Sequence, residues 1–178
     1  MAGFNIKNVG FNNKYQTAEV AAPITTGVVW QNMNNGHTAS GNVLSKSGNN
    51  WVADATGTVT FAHTEGFKVE FTISSIPLDL FCGFDISTNV DSYNMDYAFY
   101  CGGANAFEVY ENGIQTATGL GSFTSADTFA VNMSSSGTVT YLKNGSIVYT
   151  SLVTASGTYR VNAVIYTNGK SLTANEIN

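Results

Sequence analysis

The chain has 178 residues and a formal net charge of −5, and only 11% of its residues are charged while 43% are hydrophobic. The 7 Lys and Arg residues are scattered along the sequence, which argues against the clustered positive charge that nucleic acids and anionic lipids require. The sequence contains no apolar run of about 18 residues that would predict a membrane-spanning helix.

The N-terminal part of the chain is polar and weakly patterned, and we predict an arm or edge strand over residues 1–27. The stretch from Met1 to Lys7 shows no basic segment followed by an apolar one, so no signal peptide is expected in this chain. We therefore expect either an extracellular surface protein whose signal has been removed, or a cytosolic product that assembles into a virion. Residues 28–178 are predicted to form one domain.

Strand patterns dominate the rest of the sequence. In Phe67–Ile73 apolar and polar residues alternate strictly, which predicts a half-buried antiparallel strand with its aromatic and aliphatic side chains on one face. The other predicted strands are Val28–Gln31, Asn42–Ser45, Thr58–Phe61, Leu78–Ile86, Met95–Cys101, Phe107–Tyr110, Phe129–Met133, Thr138–Leu142, Ile147–Thr150 and Tyr159–Tyr166.

The turn at Asn144-Gly145 is the clearest local signal. It separates two predicted strands, and Asn-Gly accepts the positive φ angles that a type I′ hairpin turn requires at both central positions.

No segment keeps a helical spacing of apolar residues for more than a turn. Roughly ten short strands separated by turns predict an all-β, antiparallel two-sheet sandwich.

Several segments follow one another in a recognisable order: Trp30, Thr38–Lys46, Trp51, Ala53, Gly66–Phe71, Phe84–Ser87, Met95–Tyr100, Val109–Gly113 and Gly137–Gly145. This order resembles the concanavalin A-like lectin/glucanase modules (LamG- or SPRY-like jelly rolls) of bacterial and viral surface proteins. The resemblance covers Val28 to Leu172. It implies a jelly-roll sandwich of two sheets, one often concave. Because this fold hosts lectins, glycosidases, adhesion modules and viral spike domains, the resemblance does not select one function.

The carboxylates do not have the pattern of a glycosidase, which needs two of them across the scissile bond. The laminarinase-like enzymes of this fold carry Glu-x-Asp-x-x-Glu on one strand, and this sequence has no such run. Glu108 and Glu111 fall on opposite faces of a strand, and Glu70 shares its face with Lys68 and Thr72. No Gly-x-Ser-x-Gly motif is present. We predict that the protein is not an enzyme and has no catalytic residues.

The two cysteines allow two interpretations. If the hairpin between the predicted strands is centred near Asp91 and Ser92, Cys82 lies opposite Cys101, with Cβ atoms about 4.5–5.5 Å apart and near disulfide range. The alternative is a pair of reduced thiols in one core, which the apolar surroundings of Cys82 favour.

The segment between these strands is rich in oxygen ligands. Asp85, Asn89, Asp91 and Asp96 could bind Ca²⁺, and lectins of the fold that the chain resembles often fix a sugar-binding loop in this way. The alternative is a solvated hairpin loop, because Asp, Asn and Ser also favour turns. No other cofactor is expected.

Carbohydrate recognition needs an aromatic ring for the apolar face of the sugar and amides or carboxylates for its hydroxyls. The predicted ligand-binding residues are Trp51, Tyr93, Asn94, Asp91 and Asn112. Trp51 follows a Gly-Asn-Asn sequence and is the best candidate for a loop aromatic. Trp30, Tyr100 and Tyr110 are further candidates, with burial in the core as the alternative for most of these rings.

These patterns favour a non-catalytic, lectin-like binding module that recognises carbohydrate at a cell or particle surface. Its expected partners are a glycan or glycoprotein, together with self-association or other structural subunits, and neither nucleic acid nor membrane insertion. The main alternative is a capsid, spike or fibre component of a virus or phage, which the polar N-terminal segment and the lack of an export signal favour. A glycoside hydrolase is the weaker alternative.

Overall fold

The computed structural model describes residues 22–51, 55–87 and 94–178. Nearly all regular structure in these ranges is β, apart from one turn of 3-10 helix at His63–Glu65, so the predicted all-β class is confirmed. The strands are β1 Thr25–Gly27, β2 Trp30–Gln31, β3 His37–Ser40, β4 Val43–Lys46, β5 Ala55–Gly57, β6 Phe61–Ala62, β7 Phe67–Ile73, β8 Leu80–Asp85, β9 Tyr97–Cys101, β10 Phe107–Glu111, β11 Ile114–Ala117, β12 Thr128–Met133, β13 Val139–Lys143, β14 Ser146–Thr150, β15 Thr158–Ile165 and β16 Ser171–Ile177. None of the helical structure described is long and apolar enough to cross a membrane.

The strands form two antiparallel sheets. Sheet A has the order β14-β13-β12-β7-β16-β4-β3, and β1 also pairs with β16. Sheet B has the order β11-β10-β9-β8-β15-β5-β2, and β6 also pairs with β15. Each sheet contains strands from the first and from the last part of the described chain, and the chain crosses between the sheets several times. The two sheets therefore belong to one folding unit.

The inner faces of the sheets pack on each other through aromatic side chains. In β7 the alternation predicted from sequence is confirmed, because Phe71 and its apolar neighbours are buried while Lys68 and Glu70 reach the surface. The Phe71 ring stacks on Phe129 at 5.5 Å between centroids, and Phe99 from sheet B meets Phe129 edge-on at 5.2 Å. Burial of large rings on both inner faces supplies most of the stabilisation, at about 25 cal/mol per Å² of apolar surface.

The Asn-Gly hairpin is confirmed. Asn144 and Gly145 have φ angles of 51° and 76°, and Lys143 pairs with Ser146 across a two-residue turn. The amide of Asn144 is also engaged, since its Oδ1 accepts from the backbone N–H of Thr128 at 2.9 Å.

Some strand boundaries differ from the prediction. The segment Thr58–Phe61 is not one strand, because β5 and β6 pair with different parts of β15 and the chain leaves the sheet between them. Strands β3, β11 and β16 were not predicted. In β16 the residues that face the core include Ala174 and Glu176, which carry little strand propensity, so the sequence does not show the alternation.

Of the two interpretations of the cysteines, the disulfide is not found, and the favoured one, two reduced thiols in one core, is confirmed. Phe84 lies opposite Tyr97, which places Cys82 opposite Phe99 and Cys101 opposite Leu80. The hairpin is centred one residue earlier than expected, so the register shifts by two and the cysteines become diagonal neighbours, too far apart to bridge. Both thiols are free and buried, and burial raises the pKa of each well above its ordinary value.

Two carboxyl groups lie between the sheets. Glu111 on β10 accepts a hydrogen bond from the Tyr141 hydroxyl on β13 at 3.1 Å, which joins sheet B to sheet A. Burial raises the pKa of Glu111, and the hydrogen bonds from Ser151 and Tyr141 act in the opposite direction. A buried carboxylate with such partners is held in place but remains costly to desolvate.

Glu176 lies on β16 near the other end of sheet A. Its side chain points between the sheets and is 2% exposed, and Oε1 has no hydrogen-bond partner. A methyl group added at Gly57 on the facing sheet would lie only 3.4 Å from this oxygen, which shows how closely sheet B covers it. Burial raises the pKa of Glu176 to about 7, so the carboxyl stays protonated in slightly acidic solution.

The free energy of unfolding should therefore fall as pH rises from about 5 to about 8. The unfolded chain loses the Glu176 proton near its ordinary pKa, whereas the folded protein keeps it until the pKa of about 7. Glu176→Gln removes this difference in pKa between the folded and unfolded chain. We therefore expect the free energy of unfolding of the variant to be about 2 kcal/mol higher than that of the wild type at pH 8, and to differ from it much less at pH 5. Urea unfolding at both pH values measures this. Glu70→Gln, which removes an exposed carboxylate, is the control, and parallel pH profiles for wild type and Glu176→Gln would contradict the prediction.

Candidate functional site

The central strands of sheet B are buried on both of their faces. Every residue of β8 from Leu80 to Asp85 is buried, although only alternate side chains can point into the inner core. The opposite face carries a second apolar cluster whose fully covered members are Phe81, Met95, Ala98 and Val164. We call this surface the outer face of sheet B.

Five aromatic rings lie together on the outer face of sheet B. We call Trp51, Phe81, Tyr100, Tyr110 and Tyr166 the outer aromatic cluster. Phe81 stacks on Tyr100 at 4.8 Å and meets Tyr110 edge-on at 5.1 Å between ring centroids. Trp51 stacks on Tyr166 at 4.8 Å with an interplanar angle of 28°. Trp51, Tyr100 and Tyr110 are only half-buried, so they form the rim of the cluster.

Asp79, just before β8, fixes the position of one of these rings. Its Oδ1 accepts a hydrogen bond from the Tyr100 hydroxyl at 2.9 Å and another from the backbone N–H of Gly103 at 2.7 Å. The chain passes close to the ring at Gly102, where a Cβ atom would lie 2.8 Å from the Tyr100 side chain. The tyrosine is therefore held by a carboxylate at its hydroxyl and by backbone along its edge.

Asn162 adds a polar group to the same face. It lies two residues before Val164 on β15, so the two side chains point to the same side of sheet B. Its Nδ2 donates to the backbone oxygen of Ser87 at 3.1 Å, whereas its Oδ1 is buried and has no hydrogen-bond partner. A buried acceptor without a donor is costly, and a hydroxyl group or water would satisfy it.

The predicted ligand-binding residues do not all lie in one place. Trp51 belongs to the outer aromatic cluster. Asn94 is exposed next to Met95, and Asn112 is exposed in the β10–β11 turn, where its backbone N–H donates to the backbone carbonyl oxygen of Asp96 at 3.2 Å. Asp91 and Tyr93 lie outside the described residues.

The other candidate aromatics separate into two groups. Trp30 is buried in the inner core, where its indole N–H donates to the Asn42 carbonyl at 3.3 Å. Tyr100 and Tyr110 instead lie on the outer face of sheet B. Phe81 and Tyr166, and the residues Asp79 and Asn162 that accompany them, were not predicted as site residues from the sequence. The one available signal was β8 itself, whose unbroken apolar run is typical of a strand covered on both faces.

Two of the four predicted calcium ligands lie side by side. Asp85 accepts hydrogen bonds from the backbone N–H groups of Ser87 at 2.5 Å and Asp96 at 3.1 Å, and Asp96 accepts one from Ile86 at 2.9 Å. Burial raises the pKa of Asp85 to about 6, and the nearby charge of Asp96 adds to this effect. Asn89 and Asp91 are not among the described residues. Within residues 22–51, 55–87 and 94–178, no group of three or more His, Cys, Asp and Glu side chains is placed to hold a metal ion.

Acidic groups surround the outer aromatic cluster. Glu108 lies on the same face of β10 as Tyr110 and accepts a hydrogen bond from Gln115 at 2.5 Å, while Glu111 points into the core. The two glutamates thus lie on opposite faces of the strand, as the sequence predicts. Asp79 lies at one end of this face and Asp85 at the other, where Arg160 of β15 lies opposite Asp85. The three carboxylates outnumber this one cation, so the face favours neutral ligands over anionic ones.

The comparisons with known proteins confirm a concanavalin A-like jelly roll. A human SPRY domain superimposes with a TM-score of 0.61 at 15% identity, covering 82% of this chain and 96% of that one. The carbohydrate recognition domain of Emp47p gives a TM-score of 0.59 at 10% identity, with 86% and 93% covered, and that of Emp46p gives 0.55 at 7%, with 83% and 87% covered. Identities this low show the fold alone. No protein-family model matches the sequence, and no curated protein sequence matches it either.

The hydrogen bond between Asp79 and Tyr100 can be tested by a double-mutant cycle. We expect Asp79→Ala and Tyr100→Phe each to lower the free energy of unfolding, and the double variant to lose about 1 kcal/mol less than their sum, because both remove the same bond. Urea unfolding of the four proteins provides the coupling energy. Strictly additive effects would show that the carboxylate does not hold the ring.

Proposed function

We propose that this protein is a non-catalytic binding module whose ligand is carbohydrate, bound at the outer face of sheet B. The observation that carries the proposal is the outer aromatic cluster, with the half-buried rings of Trp51, Tyr100 and Tyr110 at its rim. The apolar face of a pyranose ring packs on such aromatic surfaces, and neighbouring polar groups orient its hydroxyls.

The polar groups beside the cluster suit hydroxyl recognition. Asn162 is fully buried, so its unpaired Oδ1 can be reached by a bound water that links it to the ligand and not by a ligand hydroxyl itself. The carboxylates of Asp79 and Glu108 place negative charge at the edge of the same face. A neutral sugar is therefore favoured over one that carries a carboxylate or sulfate group.

The comparisons add limited support to this proposal. The Emp47p and Emp46p domains are named as carbohydrate recognition domains, whereas the human SPRY domain carries no such description. Because one fold serves several kinds of recognition, the argument for sugar rests on the aromatic residues and not on the superposition.

The alternatives differ in what supports them. The placement of Glu108 and Glu111 on opposite sides of β10 gives no support to a glycoside hydrolase that uses this pair of carboxylates. A structural role in a capsid, spike or fibre, with self-association at a particle surface, is favoured by the uncharged edge strands β11 and β14 of the sandwich. Either function is compatible with a location on a cell or virion surface.

The carbohydrate proposal predicts binding on an array of immobilised neutral and sialylated oligosaccharides. We expect signals on neutral glycans and weaker signals on sialylated ones, because the acidic groups of this face repel the sialic acid carboxylate. An array without any bound glycan, or one dominated by sialylated glycans, would contradict the proposal.

Trp51 is the residue whose replacement tests the site. We expect Trp51→Ala to weaken binding to the selected glycan by about tenfold or more, because a stacked ring contributes on the order of 1–2 kcal/mol. Trp51→Phe keeps an aromatic surface and should retain part of the affinity, which separates ring stacking from a general loss of structure. Calorimetric titration measures both variants, and equal affinity for wild type and Trp51→Ala would place the sugar elsewhere.

A further inference from the structure

One side of the sandwich carries an edge strand of each sheet. β14 is the last strand of sheet A and β11 the last strand of sheet B. Their inner neighbours β13 and β10 are in contact, because Lys143 Nζ lies 5.6 Å from the centroid of the Phe107 ring and Tyr141 bonds Glu111. No strand in the described ranges pairs with the outer side of either edge. We call this surface the β14–β11 side.

The inner core is least well covered on the β14–β11 side. Five apolar residues of the described ranges border the core while remaining half-exposed, and four of them belong to β11, β14 or the loop after β11. These four are Ala117, Leu120, Val148 and Tyr149. On the same strands Ile114 is 68% exposed and Ile147 is 62% exposed. Apolar surface gathered in this way on a monomer is typical of a contact region.

The turn after β14 adds an anchoring side chain. Leu152 is 93% exposed, and the residues on either side of it are fixed, because the backbone N–H of Val153 donates to Ser151 Oγ at 3.0 Å. Ser151 itself is buried beside Glu111. The turn is therefore ordered before any contact forms, which reduces the entropy lost when Leu152 is covered by a partner.

The two edge strands carry no charged residue, although Glu108 of β10 bonds Gln115 of β11 on the outer face of sheet B. Residues 112–126 and 144–159 contain no Asp, Glu, Lys or Arg, and the adjacent Lys143 forms an ion pair with Asp127 at 3.1 Å. Edge strands of monomeric proteins are commonly protected by charges or by proline, and β14 and β11 have neither. Two copies of this chain, each with a net charge of −5, repel each other least where they meet through uncharged surface.

We propose that a second copy of this chain binds to the β14–β11 side by antiparallel pairing of the two β14 strands about a two-fold axis. A strand edge of this kind is self-complementary, because the same unpaired N–H and C=O groups face each other on both copies. The pairing extends sheet A across the dimer and covers Ile147 and Leu152 of both copies. This inference specifies the surface for the self-association that the alternative structural role requires, and it does not rest on the carbohydrate site.

Sedimentation velocity of the full chain over a wide concentration range tests the dimer. We expect a dimer that dissociates on dilution, and we expect Ile147→Lys to raise its dissociation constant by about tenfold or more, because the introduced ammonium groups of the two copies would repel each other across the two-fold axis. Leu152→Asp should act in the same direction. Both side chains are largely exposed in the monomer, so the melting temperature of the dilute variants should match that of the dilute wild type.

Val29→Lys is the matched control, because Val29 is 59% exposed next to β2, at the opposite end of sheet B. This variant should dimerise like the wild type. A wild-type chain that stays monomeric at every concentration would overturn the proposal, as would an equal loss of dimer in Val29→Lys and Ile147→Lys. Glycan binding per chain should be unchanged in Ile147→Lys, so a failure of the dimer can be told apart from a failure of the carbohydrate proposal.

Discussion

The burial of the central strands of sheet B on both faces is the constraint on which the rest of the structure depends. Their inner face packs on sheet A, and their outer face is closed by Met95, Trp51 and the rings around them. A strand in this position needs apolar side chains on both faces, which is why β8 has a continuous apolar run from Leu80 to Phe84 and not an alternation, with a polar residue only at its end. The proposed binding surface is then the rim of an apolar cluster that the fold needs in any case, so that stability and recognition depend on the same rings.

The polar groups inside the sandwich show how such a structure tolerates buried charge. Glu111 is stabilised by the Tyr141 hydroxyl, and it connects the sheets at the point where their edges are least covered. Glu176 has no partner at Oε1 and responds by keeping its proton. The difference follows from position: Glu111 lies near groups that can donate to it, whereas Glu176 is covered by the backbone at Gly57 and by apolar side chains.

The fold could be predicted from the sequence to the extent that local patterns decide it. The alternation in β7 and the Asn144-Gly145 turn depend on residues close in sequence, and both were predicted correctly. The register of the β8–β9 hairpin was not predicted correctly, because it depends on the residues between the strands and on the packing of both faces. The same limit applies to the site: Trp51 stacks on Tyr166, a contact between residues far apart in sequence, which no local pattern can indicate.

The two proposed surfaces are compatible for a geometric reason. Antiparallel pairing of β14 strands about a two-fold axis places that axis roughly perpendicular to sheet A, and such an axis leaves each face of the sandwich pointing to the same side in both copies. The outer faces of sheet B would therefore be presented together, beside each other and away from the interface. Sugar contacts on a shallow aromatic surface are weak singly, and two linked sites gain affinity when they meet a surface that displays many copies of the same glycan. An uncharged edge that joins the copies and an aromatic face that contacts the ligand would thus act together, although no residue belongs to both.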